Sequence, residues 1–343
     1  MKIGIDLGGS HIAIGVINDY GLIIDKVEKR ILNQDKENIY QVIEDYIVKN
    51  VNKFANMYEI TSIGIAVPGT VNEKTIIKSV NLGIENYNLV DCLKEKLWSI
   101  GSGGKLTTKL STGSVDKNIT VGKITDFSKI EIKLKNDAKC AALAENEFGS
   151  LKRYSRSLFL TLGTGIGGAV IINNKLLDTG DLPGIEVGHM IIKKDGLKCK
   201  CGNKGCFEKY ASMKAFKTNL RKALKVDENI SGEELLKILE KKYKILPTKP
   251  GTNGNKAVQN DKITKVVDDF IEYLSIGIAN LVNIFEPEAI VIGGSFVHFE
   301  EILLNKLKSS LNNGPYLFNK RNTIIIKTAT LGNDAGIIGA SLI

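Results

Sequence analysis

The chain opens as apolar runs interrupted by glycine turns. "KIGIDLGGSHIAIGVI" sets two β-branched runs on either side of Gly8-Gly9, the pattern of a β-hairpin. Between residues 36 and 57, Ile39, Val42, Ile43, Tyr46, Val51 and Phe54 recur at helical spacing and predict an amphipathic helix. "SIGIAVPG" follows as a buried strand closed by a Pro-Gly turn, and "LVDCLKEKLW" as a second amphipathic helix. Residues 99–125 then lose their large apolar side chains and turn rich in Gly, Ser, Thr and Lys. They predict a surface loop, with a lid over a ligand or an oligomer contact as the other readings.

"KIEIKLKNDAKCAALAENEFG" resumes as a strand and a helix, and "SLFLTLGTGIGGAVIINNKLL" repeats the strand, glycine turn, strand of the opening. A further helix starts at Ser231, where Glu234 completes a capping box, and the polar stretch "PTKPGTNGNKAVQND" follows. "VVDDFIEYLSIGIANLVNIFEPEAIVIGGSF" predicts a long helix, a Pro turn, a buried strand and a third glycine turn. The tail "LGNDAGIIGASLI" predicts a closing helix with glycines that permit close packing. Two glycine-turned hairpins, one opening each half, predict an α/β chain of two duplicated lobes. The expected lobes are residues 1–133, carrying the 99–125 insertion, and residues 134–343, with the helix near 333–343 packing back on the first.

Composition narrows the function classes. At 25% charged residues the chain is of ordinary globular type. Met1 leads straight into a strand, and the longest apolar run, Leu158–Ile172, is glycine-rich and short for a membrane span. Five cysteines, three of them clustered, do not describe a secreted disulfide framework. A cytoplasmic protein with no membrane partner is expected. The net charge of +9 raises the question of nucleic acid. The basic residues are mostly lysines interleaved with acids, without an arginine block or an aromatic ladder, so a solvated surface and no nucleic-acid partner are expected.

Asp6 stands at a strand end beside Gly8, Gly9 and Ser10. This is either an ordinary hairpin turn or a phosphate-binding turn, where backbone N–H groups approach phosphate and the carboxylate holds hydrated Mg²⁺. No Gly-Lys-Ser/Thr closes it, which excludes a Walker loop. Its echoes at Gly163-Thr164-Gly165 and Gly293-Gly294 favour phosphate, since three such turns suit one nucleotide. Asp137, between strand and helix, reads as a helix N-cap or as a general base for phosphoryl transfer.

His189, Cys199, Cys201 and Cys206 give H-x9-C-x-C-x4-C, the donor set of a closed tetrahedral zinc site; buried thiols or a redox pair are the other readings. Four protein ligands leave no open position, so the Zn²⁺ would be structural. Glu186 and Glu208 bracket this loop, 186–208, as surface carboxylates or as acceptors for sugar hydroxyls.

Taken in order, "GIDLGGSHIAIGVI", "GIAVPGTV", "SVNLG", "KNDAKCAALAE", "TLGTGIGGAVIINNKLL", "EVGHM", "CKCGNKGCFE", "GIANLVNIFEPEAIVIGGS" and "LGNDAGIIGA" resemble the ROK family of sugar kinases and repressors. The resemblance covers nearly the whole chain outside the stretches near 99–125 and 225–262. It implies an actin-like, duplicated ribonuclease-H-like fold with an interlobe cleft. It also implies an ATP- and Mg²⁺-dependent hexose kinase of glucokinase type, assembled as a homodimer or homotetramer.

By the resemblance, Asp137 matches the catalytic base. Asn136, Glu186, His189 and Glu208 match the sugar contacts, and Gly69 lies in the turn approaching the sugar. His189, Cys199, Cys201 and Cys206 match the zinc ligands. Asp6, Gly8, Gly9 and Ser10 match the first phosphate and Mg²⁺ loop, Gly163, Thr164 and Gly165 the second, and Gly293 and Gly294 the adenosine side.

N-acetylhexosamine or fructose phosphorylation is the alternative within the kinases. The repressor branch carries a helix-turn-helix ahead of this domain, for which a first strand at residue 2 leaves no room. Four departures stand out: Ser10-His11 in place of Thr followed by Lys or Asn, Gly184 one place further from Glu186, Lys139 in place of Asn, and a 99–125 stretch longer than the usual link between helix and catalytic strand.

Overall fold

Strands rich in Ile and Val organise the chain into two units, each around its own sheet. The computed structural model describes residues 1–103, 125–177, 184–242, 261–318 and 324–343. The first unit contains Met1–Phe148 and Asn333–Ile343, the second Gly149–Leu177 and Ile185–Gly332.

In the first unit, β1 (Lys2–Leu7), β2 (His11–Ile17) and β3 (Ile23–Arg30) form an antiparallel meander. The opening hairpin is thus extended by a third strand, whose mostly half-exposed residues blur the apolar signal. Helix α1 (Ile39–Ala55) buries Ile39, Ile43, Ile47, Val51 and Phe54. Next come β4 (Ser62–Val67), a small sheet of β5 (Thr70–Val71), β6 (Ile76–Ser79) and β7 (Ile84–Tyr87), and α2 (Leu89–Gly103). The helix runs to Gly103, so the expected 99–125 loop begins with residues that still belong to α2. Loss of apolar side chains marks where burial stops, not where backbone hydrogen bonding does. The remainder of that stretch, 104–124, lies outside the described residues, as does most of the polar stretch after residue 242.

β8 (Glu131–Asn136) pairs parallel with β4, and α3 (Asp137–Glu147) follows without a break, giving the sheet order β3-β2-β1-β4-β8. Because β8 is hydrogen-bonded into this sheet, the first unit extends to Phe148, past the boundary expected at 133/134.

The second unit repeats the plan. β9 (Arg156–Leu162), β10 (Ile166–Ile172) and β11 (Lys175–Leu176) are antiparallel. Helices α4 (Glu208–Ala211), α5 (Met213–Leu224), α6 (Gly232–Lys242) and α7 (Asp261–Phe285) lead to β12 (Ala289–Gly293), α8 (Glu300–Asn313) and β13 (Ile325–Thr328). The order β11-β10-β9-β12-β13, with β9, β12 and β13 parallel, matches the first sheet strand for strand. This is the duplicated α/β architecture expected from the repeated hairpins. The capping box forms as read: Ser231 Oγ accepts from Glu234 N at 3.1 Å while Glu234 Oε2 accepts from Ser231 N at 3.0 Å. Among the described residues no helix is long and apolar enough to cross a membrane.

The last helix, α9 (Ala335–Ala340), belongs to the first unit and seats directly on its sheet. A side-chain carbon on Gly4 of β1 would collide with the Ile337 carbonyl, and one on Gly64 of β4 with the Ala340 carbonyl. Two backbones therefore meet where most sheets hold a layer of side chains. We expect Gly64→Ala to destabilise the protein by about 1–3 kcal/mol through overpacking, read as a fall of several degrees in the midpoint of thermal unfolding. An unchanged midpoint would mean that α9 is not seated on β4.

Candidate active site

In the first unit the candidate residues gather at the carboxyl ends of parallel strands, the edge at which open α/β sheets bind ligands. Asp6 lies opposite Ala66 across β1 and β4, and Val67 opposite Asn136 across β4 and β8. The α3 cap is Asn136, not Asp137 as one sequence reading had it. Asn136 Oδ1 accepts from Ala138 N at 3.0 Å and from Lys139 N at 3.2 Å. With the capping role taken by Asn136, Asp137 becomes the first residue of the helix. Its carboxylate is half-buried, with Oδ1 accepting from Ala138 N at 2.8 Å.

Asn136 Nδ2 donates to the Gly69 carbonyl at 3.0 Å, tying the turn after β4 to the start of α3. Gly69 has φ of +106° and a side chain there would strike the Lys78 carbonyl, so only glycine serves.

The first glycine turn closes through Gly8 N donating to the His11 carbonyl at 2.8 Å. The His11 ring lies over Gly8, leaving no space for a side chain, and its Nε2 stands 3.6 Å from Asp6 Oδ2. Asp6 raises the His11 imidazole above its usual pKa against the opposing pull of burial. His11 is therefore the immediate neighbour of the carboxylate expected to hold Mg²⁺, while Ser10 is exposed. Asn81 packs against Gly9, a contact that sequence reasoning did not single out. Its signal was only its presence in "SVNLG".

In the second unit, Gly163 N donates to the Gly165 carbonyl at 3.0 Å, and Thr164 is exposed at the tip of that turn. Gly293 pairs with Thr161 across β12 and β9, and Gly294 takes φ of +72° against the Leu162 carbonyl. The second and third glycine turns are thus neighbours at the carboxyl ends of adjacent parallel strands.

His189, Cys199, Cys201 and Cys206 converge, with one donor atom of each lying within 4.8 Å of the others. Cys199 Sγ is 3.7 Å from His189 Nδ1, and the Cys201 and Cys206 sulfurs are 3.6 Å apart. Two isolated bridges, Ile191 with Cys206 and Lys198 with Lys204, fold the loop back on itself to achieve this. Burial pushes the Cys199 thiol up and the Cys206 thiol up to about 12, whereas the Asn203 backbone N–H lowers Cys201. A dication is what ionises such buried thiols together, and three sulfurs with one imidazole fit tetrahedral zinc.

Glu208, the first residue of α4, links this cluster to the second glycine turn. Its Oε1 lies 3.3 Å from Cys199 Sγ, and a side-chain carbon on Gly165 would meet its Oε2 at 2.5 Å.

Glu186 sits at the centre of an inverse γ-turn, with φ −79°, ψ 65° and Val187 N donating to the Ile185 carbonyl at 2.9 Å. Ile185, the extra residue between Gly184 and Glu186, takes φ of +64°. A β-branched residue resists that conformation; the Ile185 side chain packs on the core of the second unit, which offsets the strain.

The model of the ROK family matches residues 2–99 and 107–343. A xylose repressor of Caldicellulosiruptor bescii is 30% identical, over 98% of this chain and 76% of the repressor. A glucokinase of Thermotoga maritima is 28% identical, over 99% of this chain and 96% of its own. The crystal structure of a ROK family glucokinase from Streptomyces griseus, in complex with glucose and AMPPNP, has a TM-score of 0.69 to this chain at 24% identity, covering 99% of it and 97% of the glucokinase. With the two matching sheets, that likeness establishes the actin-like fold.

Cys201→Ser is expected to abolish stoichiometric zinc, measured by elemental analysis of the purified chain, because exchanging one thiolate for a hydroxyl breaks a four-ligand site. Retention of one zinc per chain would remove Cys201 from the ligand set.

Proposed function

The chain belongs to the ROK family, and on that premise we propose that it is a sugar kinase. It transfers the γ-phosphoryl group of ATP to a hydroxyl of a hexose, glucose at C6 in the first instance. The observation that carries this is Asp137: a half-buried carboxylate at the first turn of α3, in the same unit as Asp6 and the Gly8-Gly9 turn.

In this mechanism Asp137 accepts the proton of the sugar hydroxyl as its oxygen attacks phosphorus. Asn136 sets the carboxylate's position by capping α3 and by holding the Gly69 carbonyl. Glu186 and Glu208 accept hydrogen bonds from sugar hydroxyls, while the His189 ring nitrogen that does not ligate zinc donates one, and the zinc-held loop fixes two of these groups, since His189 and Glu208 both touch Cys199. The glycine turns at Gly8-Gly9, Gly163–Gly165 and Gly293-Gly294 present backbone N–H groups to the nucleotide. Asp6, an oxygen donor at a strand end, would hold Mg²⁺, whose chemistry here is to neutralise phosphate charge.

N-acetylglucosamine, N-acetylmannosamine and fructose are the alternative acceptors, because the same carboxylates and imidazole would bind their hydroxyls. A second reading, a sugar-responsive transcriptional regulator, draws on the xylose repressor relative. Both readings use the same sugar contacts; turnover separates them.

Sugar phosphate should form over a panel of glucose, fructose and the two N-acetylhexosamines, with ADP released when ATP is the donor and with polyphosphate run as the comparison donor. No sugar phosphate from any of them, together with sugar-sensitive DNA binding, would transfer the assignment to regulation. Asp137→Asn should lower kcat about 10²–10⁴-fold with little change in sugar KM. Undiminished kcat in that variant would remove Asp137 as the base.

A further inference from the structure

Helix α5 carries a cation whose surroundings do not explain it. Lys217 is half-buried, and no carboxylate lies at ion-pair distance from it among the described residues. The charge that bears on it is that of Arg221, one turn along the same helix; burial and this like charge both push its pKa down. Lys217 Nζ reaches Ser295 Oγ at 3.3 Å and lies 5.4 Å from the centre of the Phe299 ring. The backbone of Gly232 closes another side, where a side-chain carbon would meet Nζ at 3.3 Å. Arg221 does not relieve the charge. It donates to the Ile230 carbonyl at 2.7 Å, and its buried Nε has no partner among the described residues. Two cations one turn apart, partly removed from water and facing, among the described residues, a hydroxyl, a carbonyl and an aromatic ring, destabilise the unliganded chain.

The placement of α5 tells what such a cation is for. Ser212 caps the helix, accepting from Ala215 N at 3.2 Å, and Lys214 N donates to the Gly163 carbonyl at 3.0 Å. The first turn of α5 is thus fixed on the second glycine turn, while Lys217 reaches the third through Ser295. A single helix touches both glycine turns of this unit, with the free valences of an ammonium beside them. An ammonium is a compact charge with three donors, which suits a phosphate oxygen that has no fixed fork geometry to satisfy.

We propose that Lys217 Nζ and Ser295 Oγ form a phosphate contact for the bound nucleotide, additional to the backbone N–H groups of the glycine turns. The contact rests on the kinase reading for the identity of its ligand. Phosphate supplies the counter-charge that α5 lacks, so the contact contributes to the affinity of nucleotides over nucleosides. Lys217 acts in binding and takes no part in proton transfer.

Isothermal titration of the full chain with ADP and with adenosine, in Mg²⁺-free buffer, isolates the phosphate contribution from the base and from Asp6. Wild type should bind ADP more tightly than adenosine. Lys217→Gln should weaken ADP about tenfold and leave adenosine unchanged, as expected for loss of a charged hydrogen bond. Ser295→Ala should give a smaller loss, about two- to threefold. Lys217→Met, which keeps the aliphatic stem against Phe299, is the second variant should Gln disturb packing, and thermal unfolding verifies that each is folded. An undiminished ADP preference in folded Lys217→Gln or Lys217→Met overturns the contact. Failure of wild type to bind ADP overturns both the contact and the kinase reading. ADP binding without turnover of any sugar overturns the kinase reading alone, and the ADP–adenosine comparison still decides Lys217.

Discussion

The constraint on which both units depend is the space for a backbone where there is none for a side chain. α9 can lie on the first sheet only because Gly4 and Gly64 let its carbonyls approach. The turn before β5 closes only because Gly69 meets the Lys78 carbonyl. In the second unit Gly188 rests on the Ile166 carbonyl, Gly294 on that of Leu162, and Gly165 on the carboxylate of Glu208. In each case a methyl group would enter space already filled by oxygen. Such contacts bring loops and helices closer to the strand ends than ordinary packing allows.

That closeness joins the cysteine loop to the second glycine turn. Three of the cysteines lie with His189 in one cluster. They bring His189 and Glu208 to one point, where Cys199 touches both, and Glu208 then reaches the glycine turn after β9. Glu208 therefore belongs at once to the cysteine loop and to the turn. Glu186 is held by a different device, an inverse γ-turn preceded by Ile185 in a left-handed conformation. The local strain persists because the Ile185 side chain is anchored in the core.

Electrostatics divides the polar residues of the two sheets into satisfied and unsatisfied groups. Asn136 is satisfied: its carbonyl oxygen caps α3 and its amide holds Gly69. Asp6 has the His11 imidazole at 3.6 Å, and this carboxylate raises the imidazole above its usual pKa. Lys217 and Arg221 stand at the other extreme, like charges without a described acid. A folded chain tolerates such a pair where a ligand supplies the missing charge.

By itself the sequence determined the duplicated α/β plan, the three glycine turns, the Ser231–Glu234 cap and the convergence of His189 with three cysteines. Each of these is written in local signals: period-two apolar runs, turn residues and ligand spacing within eighteen residues. Tertiary structure alone decided that Asn136, not Asp137, caps α3, since the cap depends on which of two adjacent side chains can fold back onto the helix. It also decided that β8 and α3 belong with the first unit, because parallel pairing to β4 joins residues far apart in the chain. The contacts of Asn81 with Gly9, and of Lys217 with Ser295, were equally out of reach. A lysine on an amphipathic helix reads as solvated until the partner strand end, 78 positions away, is brought beside it. Local periodicity records the state of the backbone; which side chains share a site is set by long-range pairing.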